Sequence, residues 1–375
     1  TSDYGGKVEN FNGQTVERGL KLFANNTDIY QPFICTPEHR VTMSAHNIVT
    51  LKRIVEQFEP DVIFVWNLYF FDEPFLDAIK QMKQPIVYLL TDNWLIAFLN
   101  APFIQGYFAE NVLSKRPLTE LLYLRAKRWL SGWRKPQFLL PGHAIFPSRF
   151  MRTLYAEANF GFDNKTVIYH GVNLPEKPKN DFTDRKKLVK NGEVNLLIAG
   201  RIVELKGVHT VIESLPAIKR ALPGLKVHLT VLGDDRDRTY VERIQDRIAA
   251  LGVVDIVKFA QPVAEDELFT LFQNHDIFLF PSLYEPFSLT LIYALGAGIP
   301  TIASNAGGNP EIVDHLHTGL LFPPGHERKL AEAVVRLTTD YKLRELLSEK
   351  ARSIARQYTF IRMLKEIEHV LGTIQ

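Results

Sequence analysis

Three stretches of the sequence gather the residue types that handle anions and hydroxyl groups. The first, Ala199-Gly200-Arg201-Ile202-Val203-Glu204-Leu205-Lys206-Gly207, places a guanidinium and an ammonium between an apolar run and a helical pattern. Arg201 offers a planar fork and Lys206 a point charge, and with the N–H groups of the following helix they suit a diphosphate. A solvated strand–helix loop carries the same residues, so this stretch alone leaves both readings open. The second, Pro281-Ser282-Leu283-Tyr284-Glu285-Pro286-Phe287-Ser288-Leu289-Thr290, sets a carboxylate just before a helix start. Free N–H groups around Ser288, Leu289 and Thr290 can receive phosphate, and Glu285 can accept hydrogen bonds from sugar hydroxyls. An acid there is also a common helix cap. The third, Asn305-Ala306-Gly307-Gly308-Asn309-Pro310-Glu311, follows the next apolar run. The three loops are expected to converge on one side of a sheet, at the carboxyl ends of its strands.

The elements that must hold these loops are legible as alternating short apolar runs and helical patterns. Strands are expected at 194–199, 227–232, 257–260, 277–281, 300–303 and 319–322, with helices at 207–220, 239–251, 265–274, 289–296 and 310–314. That alternation marks a doubly wound parallel sheet. The first half is sparser: strands at 29–35, 62–68, 86–91 and 138–145, and helices at 47–58 and 72–82. A full Rossmann-like domain would need about six strands, so this one is expected to be incomplete. Residues 94–137 break the pattern with Lys115, Arg116, Arg125, Lys127, Arg128, Arg134 and Lys135 beside Leu118, Leu121, Leu122 and Trp129. An interfacial helix needs this combination, and an ordinary amphipathic surface helix shows it too. Residues 169–180 read as a linker, and the last helical stretch, 342–372, is expected to bend near 357–359.

Composition narrows the classes further. The 375 residues exceed what a single core of roughly 250–300 residues organises, so two domains with a cleft between them are expected. With 46% hydrophobic and 23% charged residues the chain is neither disordered nor a coiled coil. A lone cysteine, Cys35, excludes an intrachain disulfide and a cysteine metal cage, and a net charge of +2 gives no bulk attraction for nucleic acid. No window of about 18 apolar residues spans a membrane. Zinc and calcium motifs and the Gly-x-Gly-x-x-Gly fingerprint are absent, the Asp234-Asp235 pair has Arg236 and Arg238 to neutralise it, and His143 and His275 read as surface or core histidines. The opening Thr-Ser-Asp reads as a processed or partial chain.

With its motifs in this order the sequence resembles the retaining glycosyltransferases of family 4 (glycosyl transferases group 1). That family has the GT-B fold, an α/β architecture of two Rossmann-like domains facing across a cleft. The resemblance runs from about residue 58 to the carboxyl terminus and is strongest over 195–325. It implies Arg201 and Lys206 on the donor's diphosphate, Gly200, Ser288, Leu289, Thr290, Gly307 and Gly308 around the donor, and Glu285 near the donor sugar. Tyr293 stands where the family has a second glutamate for the ribose hydroxyls, and Ser288 where it has a glycine before the phosphate-binding helix. Thr91 stands where the family often has an active-site histidine. Asp92 and His170 are the candidates to replace it, against the simpler readings of a helix cap and a hinge hydrogen bond. The family's Gly-Gly loop has no counterpart, so the chain is expected to begin just after the family's second strand.

The resemblance implies domains at 1–170 (acceptor side) and 171–356 (nucleotide sugar), with a helix over 357–375 returning to the first. The implied reaction moves a sugar from a UDP- or GDP-type nucleotide sugar to a sugar or lipid-linked acceptor, with retention, without cofactor or metal, in polysaccharide or glycoconjugate synthesis. A cytoplasmic location follows, with peripheral contact at the inner face of the membrane through 94–137 and no nucleic-acid partner. Rival readings are an epimerase or phosphorylase on the same fold, and a catalytically silent nucleotide- or partner-binding protein.

Overall fold

The computed structural model describes residues 10–11, 14–22, 36–112, 119, 123, 137–175 and 192–374. The strand expected at 29–35 with Cys35, the cations and Trp129 of the 94–137 stretch, and linker residues 176–180 lie outside them. The chain divides into two compact units: Thr1–Phe146, Met151–Val167 and Glu368–Gln375 form the first, and Pro147–Phe150 with Ile168–Ile367 form the second.

The second unit holds six parallel strands: β7 (Glu193–Ala199), β8 (Lys226–Leu232), β9 (Val257–Ala260), β10 (Ile277–Phe280), β11 (Thr301–Ser304) and β12 (Leu320–Phe322). Their spatial order is β12-β11-β10-β7-β8-β9. The chain winds outward from β7 to β9, then restarts at β10 on the other side of β7, so the switch point lies between β7 and β10. Both faces of this sheet are covered. Leu196 and Ile198 of β7 join the cluster built with helix Val208–Ala221, whereas Leu197 and Ala199 join the one built with helix Leu289–Ala297. Burial on both faces explains why the strands read as unbroken apolar runs rather than alternating ones. Helix Leu289–Ala297 buries Leu291 through Leu295, as expected of a helix covered on most sides.

In the first unit, β3 (Ile63–Val65), β4 (Ile86–Leu89), β5 (Phe138–Phe146) and β6 (Phe160–Val167) pair in sequence order, all parallel. A separate two-stranded ribbon joins β1 (Asn10–Phe11) to β2 (Gln14–Thr15). Strand β6 is the one that the sequence pattern hides. It is an edge strand whose Asp163, Asn164 and Lys165 are exposed, so its apolar residues are confined to its first three positions and its end. Helix Pro37–Phe58 also starts ten residues earlier than the periodicity indicates. Its inward positions are polar: Asn47 is fully buried and exchanges hydrogen bonds with the backbone of Lys21, N–H to Oδ1 at 2.7 Å and Nδ2 to O at 2.8 Å.

One detail corrects the sequence pattern and a second agrees with it. The stretch from residue 94 does not leave the fold at once, because Trp94–Leu99 and Ala101–Asn111 are helices with Trp94, Leu95 and Ile96 buried. The last helical stretch is two helices, Tyr341–Ala355 and Phe360–Ile374, broken where expected. At the break Val172 N–H bonds to Tyr358 O at 2.9 Å and Phe360 N–H to Val172 O at 3.2 Å. No helix among the described residues is long and apolar enough to cross a membrane.

Candidate functional site

A ligand crevice is expected at the switch point of the sheet. The helix after β7 packs on one face and the helix after β10 on the other. The loops leading to them therefore diverge above the carboxyl ends of two adjacent strands, the place where such sheets leave a crevice.

These loops are tied together residue by residue. Leu283 N–H donates to Leu205 O at 2.8 Å. Gly207 has φ +68° and lies against the Pro281 carbonyl oxygen, so a side chain there is refused both by its backbone conformation and by its neighbour. Across the gap, Lys206 Nζ reaches Glu285 Oε2 at 2.6 Å, over a separation of 79 residues. Glu285 is 6% exposed, and its carboxylate also accepts from Ser282 Oγ at 3.5 Å. The Lys206 ammonium lies 5.7 Å from the centre of the Phe280 ring.

The third loop closes on the second. Gly307 has φ +57° and sits against the Glu285 backbone, and Gly308 N–H donates to Glu285 O at 2.8 Å. Ser304 Oγ donates to the Ser282 carbonyl. The convergence of three loops inferred from their spacing is therefore present. Glu311 turns away from it: its carboxylate accepts from the N–H groups of Arg149 (2.9 Å) and Phe150 (2.8 Å) and from the Tyr169 hydroxyl (3.1 Å). That contact, after burial, pushes the Tyr169 phenol up.

Around this centre the remaining candidates take distinct positions. Arg201 is exposed, and its charge, after the hydrogen bonds from Arg236, helps to hold the Asp234 carboxyl below its ordinary range. Asp234 and Asp235 are paired with Arg236 (2.5 Å) and Arg238 (3.0 Å), as their spacing indicates. Ser288 caps helix Leu289–Ala297 by accepting from Leu291 N–H at 3.1 Å. The N–H groups of Leu289 and Thr290, in the first turn, have no intrahelical acceptor.

Tyr293 supplies what sequence reading does not reveal. Its hydroxyl donates to the carboxylate of Glu265, at the start of helix Glu265–Gln273, so this position holds an acid by contact rather than by its own side chain. Burial first, and then that bond, push the Tyr293 phenol up.

His170 lies edge-on to Phe287, ring centres 5.7 Å apart, and burial lowers its pKa to about 4. It is thus a neutral imidazole near neutrality. In the first unit, Asp92 Oδ1 accepts from Trp94 N–H at 2.7 Å, a local bond from the residue before the Asn93 cap position of helix Trp94–Leu99, while its carbonyl accepts from the Tyr155 hydroxyl at 3.0 Å. His143 and His275 bond to Thr166 and Thr230 hydroxyls at 2.8 and 3.2 Å. Among the described residues no group of three His, Cys, Asp or Glu side chains gathers as a metal site would require.

Comparison with known proteins adds findings independent of this geometry. The family of glycosyl transferases group 1 matches residues 180–354. A protein of Methanocaldococcus jannaschii named as an uncharacterized glycosyltransferase is 31% identical over 216 residues, 56% of this chain and 54% of the relative. The chain spans about half the length of the curated relatives it matches. Among solved structures, a sucrose-phosphate synthase from Thermosynechococcus elongatus aligns with TM-score 0.70 at 18% identity, over 94% of this chain and 82% of the other. HepE of Anabaena, solved with UDP and glucose, aligns with TM-score 0.64 at 22% identity, over 92% and 84%. Residues 180–354 accordingly match the glycosyl transferases group 1 family model, and the fold, with its two Rossmann-like halves, is that of the GT-B structures.

Proposed function

We propose that the protein is a glycosyltransferase that moves a sugar from a nucleoside-diphosphate donor to an acceptor hydroxyl with retention of configuration. The observation that carries this reading is the juxtaposition of Lys206 and Glu285, a cation and a nearly buried acid 2.6 Å apart at the switch point of a doubly wound sheet. A nucleotide sugar has the complementary pair of features, an anionic diphosphate joined to a hydroxyl-rich ring. Arg201, Lys206 and the N–H groups of Leu289 and Thr290 suit the diphosphate, and Glu285 suits the ring hydroxyls.

In the reaction the bond between the sugar's anomeric carbon and the β-phosphate oxygen breaks, and its electron pair stays on the leaving diphosphate. The acceptor oxygen bonds to the same carbon, and its proton passes to the departing phosphate. Charge grows on the diphosphate as the bond lengthens, so fixed cations there lower the barrier, typically by ~10²–10³ in rate per contact. His170, neutral near pH 7, serves as a hydrogen-bonding group in this scheme rather than as an acid. A UDP-type donor is favoured by HepE, which was solved with UDP-glucose.

Hydrolysis of UDP-glucose and GDP-mannose, followed by proton NMR with and without EDTA, tests the reading. Slow release of the α-anomer, unaffected by EDTA, is expected from at least one donor. Release of the β-anomer would overturn retention, and no nucleoside-diphosphate release from either donor would favour a silent binding protein.

A further inference from the structure

The turn that carries Glu285 is braced from outside the three loops. Pro147–Phe150, remote in sequence, belongs to the second unit. Within it Ser148 is fully buried, and its hydroxyl donates to the carbonyl of Pro286 at 2.7 Å, across 138 residues. Pro286 directly follows Glu285, and having no N–H it adds no donor of its own to hold the turn. The carbonyls must do so instead. That of Glu285 accepts from Gly308 N–H at 2.8 Å, and that of Pro286 accepts from Ser148.

The brace is itself anchored. The Glu311 carboxylate holds the N–H groups of Arg149 and Phe150, and the Phe150 ring packs edge-on to Tyr284, 5.8 Å between centres. A methyl group placed on Gly308 would meet Pro286 O at 2.5 Å and Ser148 Cβ at 3.3 Å, so these three residues pack closely.

We propose that Ser148 is a positioning residue for sugar transfer: its buried hydroxyl fixes the Pro286–Phe287 peptide plane, one peptide beyond Glu285, and with the Gly308 tie thereby aims the Glu285 carboxylate. The inference rests on the reading of Glu285 as the sugar-facing group. Misplacing a catalytic group by about 1 Å can cost ~10²-fold in rate, and loss of one of two ties is a smaller disturbance.

The experiment measures hydrolysis of UDP-glucose and GDP-mannose, and affinity for UDP and GDP, in the full chain carrying Ser148→Ala, Glu285→Gln or both. Ser148→Ala is expected to lower kcat about tenfold while KM and nucleotide affinity stay within twofold. In the Glu285→Gln background the same change is expected to alter kcat by less than twofold, because there is no carboxylate left to aim. Equal fold losses in both backgrounds, or nucleotide affinity falling in parallel with kcat, would overturn the proposal. An unchanged kcat in Ser148→Ala would overturn it as well. Should Ser148→Ala not fold, Ser148→Gly removes the hydroxyl without adding bulk and is expected to show the same tenfold loss of kcat; an unchanged kcat there would overturn the proposal. Unchanged kcat in Glu285→Gln alone would instead overturn the reading of Glu285, without reference to Ser148.

Discussion

At the scale of single residues, the Lys206–Glu285 pair makes opposite predictions for the two halves of the donor. In the free protein the ammonium is held by the carboxylate, 20% and 7% exposed at their side chains, so a diphosphate must draw Lys206 away from Glu285. In Glu285→Gln that competitor is neutral, and UDP or GDP should bind as tightly as before or up to about tenfold more tightly, a gain of ~1.4 kcal/mol. Turnover of the nucleotide sugar should fall by ~10²–10³. Titration calorimetry beside a hydrolysis assay checks both, and parallel weakening of the two would place Glu285 on the nucleotide. His170 gives a second prediction. Its pKa falls from an ordinary 6.5 to about 4 on folding, so below pH 6.5 the unfolded chain takes up a proton that the folded chain refuses. The stability it contributes is complete above pH 6.5 and is lost as the pH falls toward 4, on the order of 2–3 kcal/mol. Urea midpoints at pH 7 and 4.5 should therefore drop further in the parent than in His170→Gln; equal drops would refute the assignment. The residue types of this site were readable in advance, because Arg201, Lys206 and Glu285 flank recognisable strand and helix patterns. Their pairing was not, since contacts across 79 residues (Lys206 to Glu285) and 138 residues (Ser148 to Pro286) leave no local periodicity.

At the scale of elements, strands buried on both faces gave themselves away. Val194, Leu196, Leu197, Ile198 and Ala199 of β7 are all at most 4% exposed, and such a run admits no solvated interpretation. Strand β6 failed to announce itself because an edge position lets Asp163, Asn164 and Lys165 face water. The first turns of helix Pro37–Phe58 are hidden in the sequence because the side chains it buries, Ser44, Asn47 and Thr50, are polar and leave no apolar stripe. Helix starts also carry the loop geometry. Gly207, left-handed and pressed on Pro281 O, sets the entry to helix Val208–Ala221 and the approach of Lys206 to Glu285. Gly207→Ala should cost about 1–3 kcal/mol from backbone strain alone, with further loss from the collision. The urea midpoint and UDP or GDP affinity should fall together. Unchanged affinity in the folded variant would show that the loop does not position the phosphate site.

At the level of the two units, nucleotide binding is proposed for the second and acceptor binding for the first. The stretch 94–137 is proposed to meet a lipid-linked acceptor or an anionic membrane surface, on the strength of its cluster of Lys115, Arg116, Arg125, Lys127, Arg128, Arg134 and Lys135 beside Trp129 and Trp133. Anionic vesicles should sediment the protein at low salt and release it at high salt, and failure at low salt would remove the proposal. The central claim, that the loops after β7, β10 and β11 form a nucleoside-diphosphate site, is tested most directly by calorimetric titration of UDP and GDP into the full chain and into Arg201→Ala. Arg201 is exposed, so its removal should leave the fold intact. One-site binding of at least one of the two nucleotides is expected, weakened about tenfold or more in Arg201→Ala; binding of neither, or equal affinity in both proteins, would refute the phosphate site.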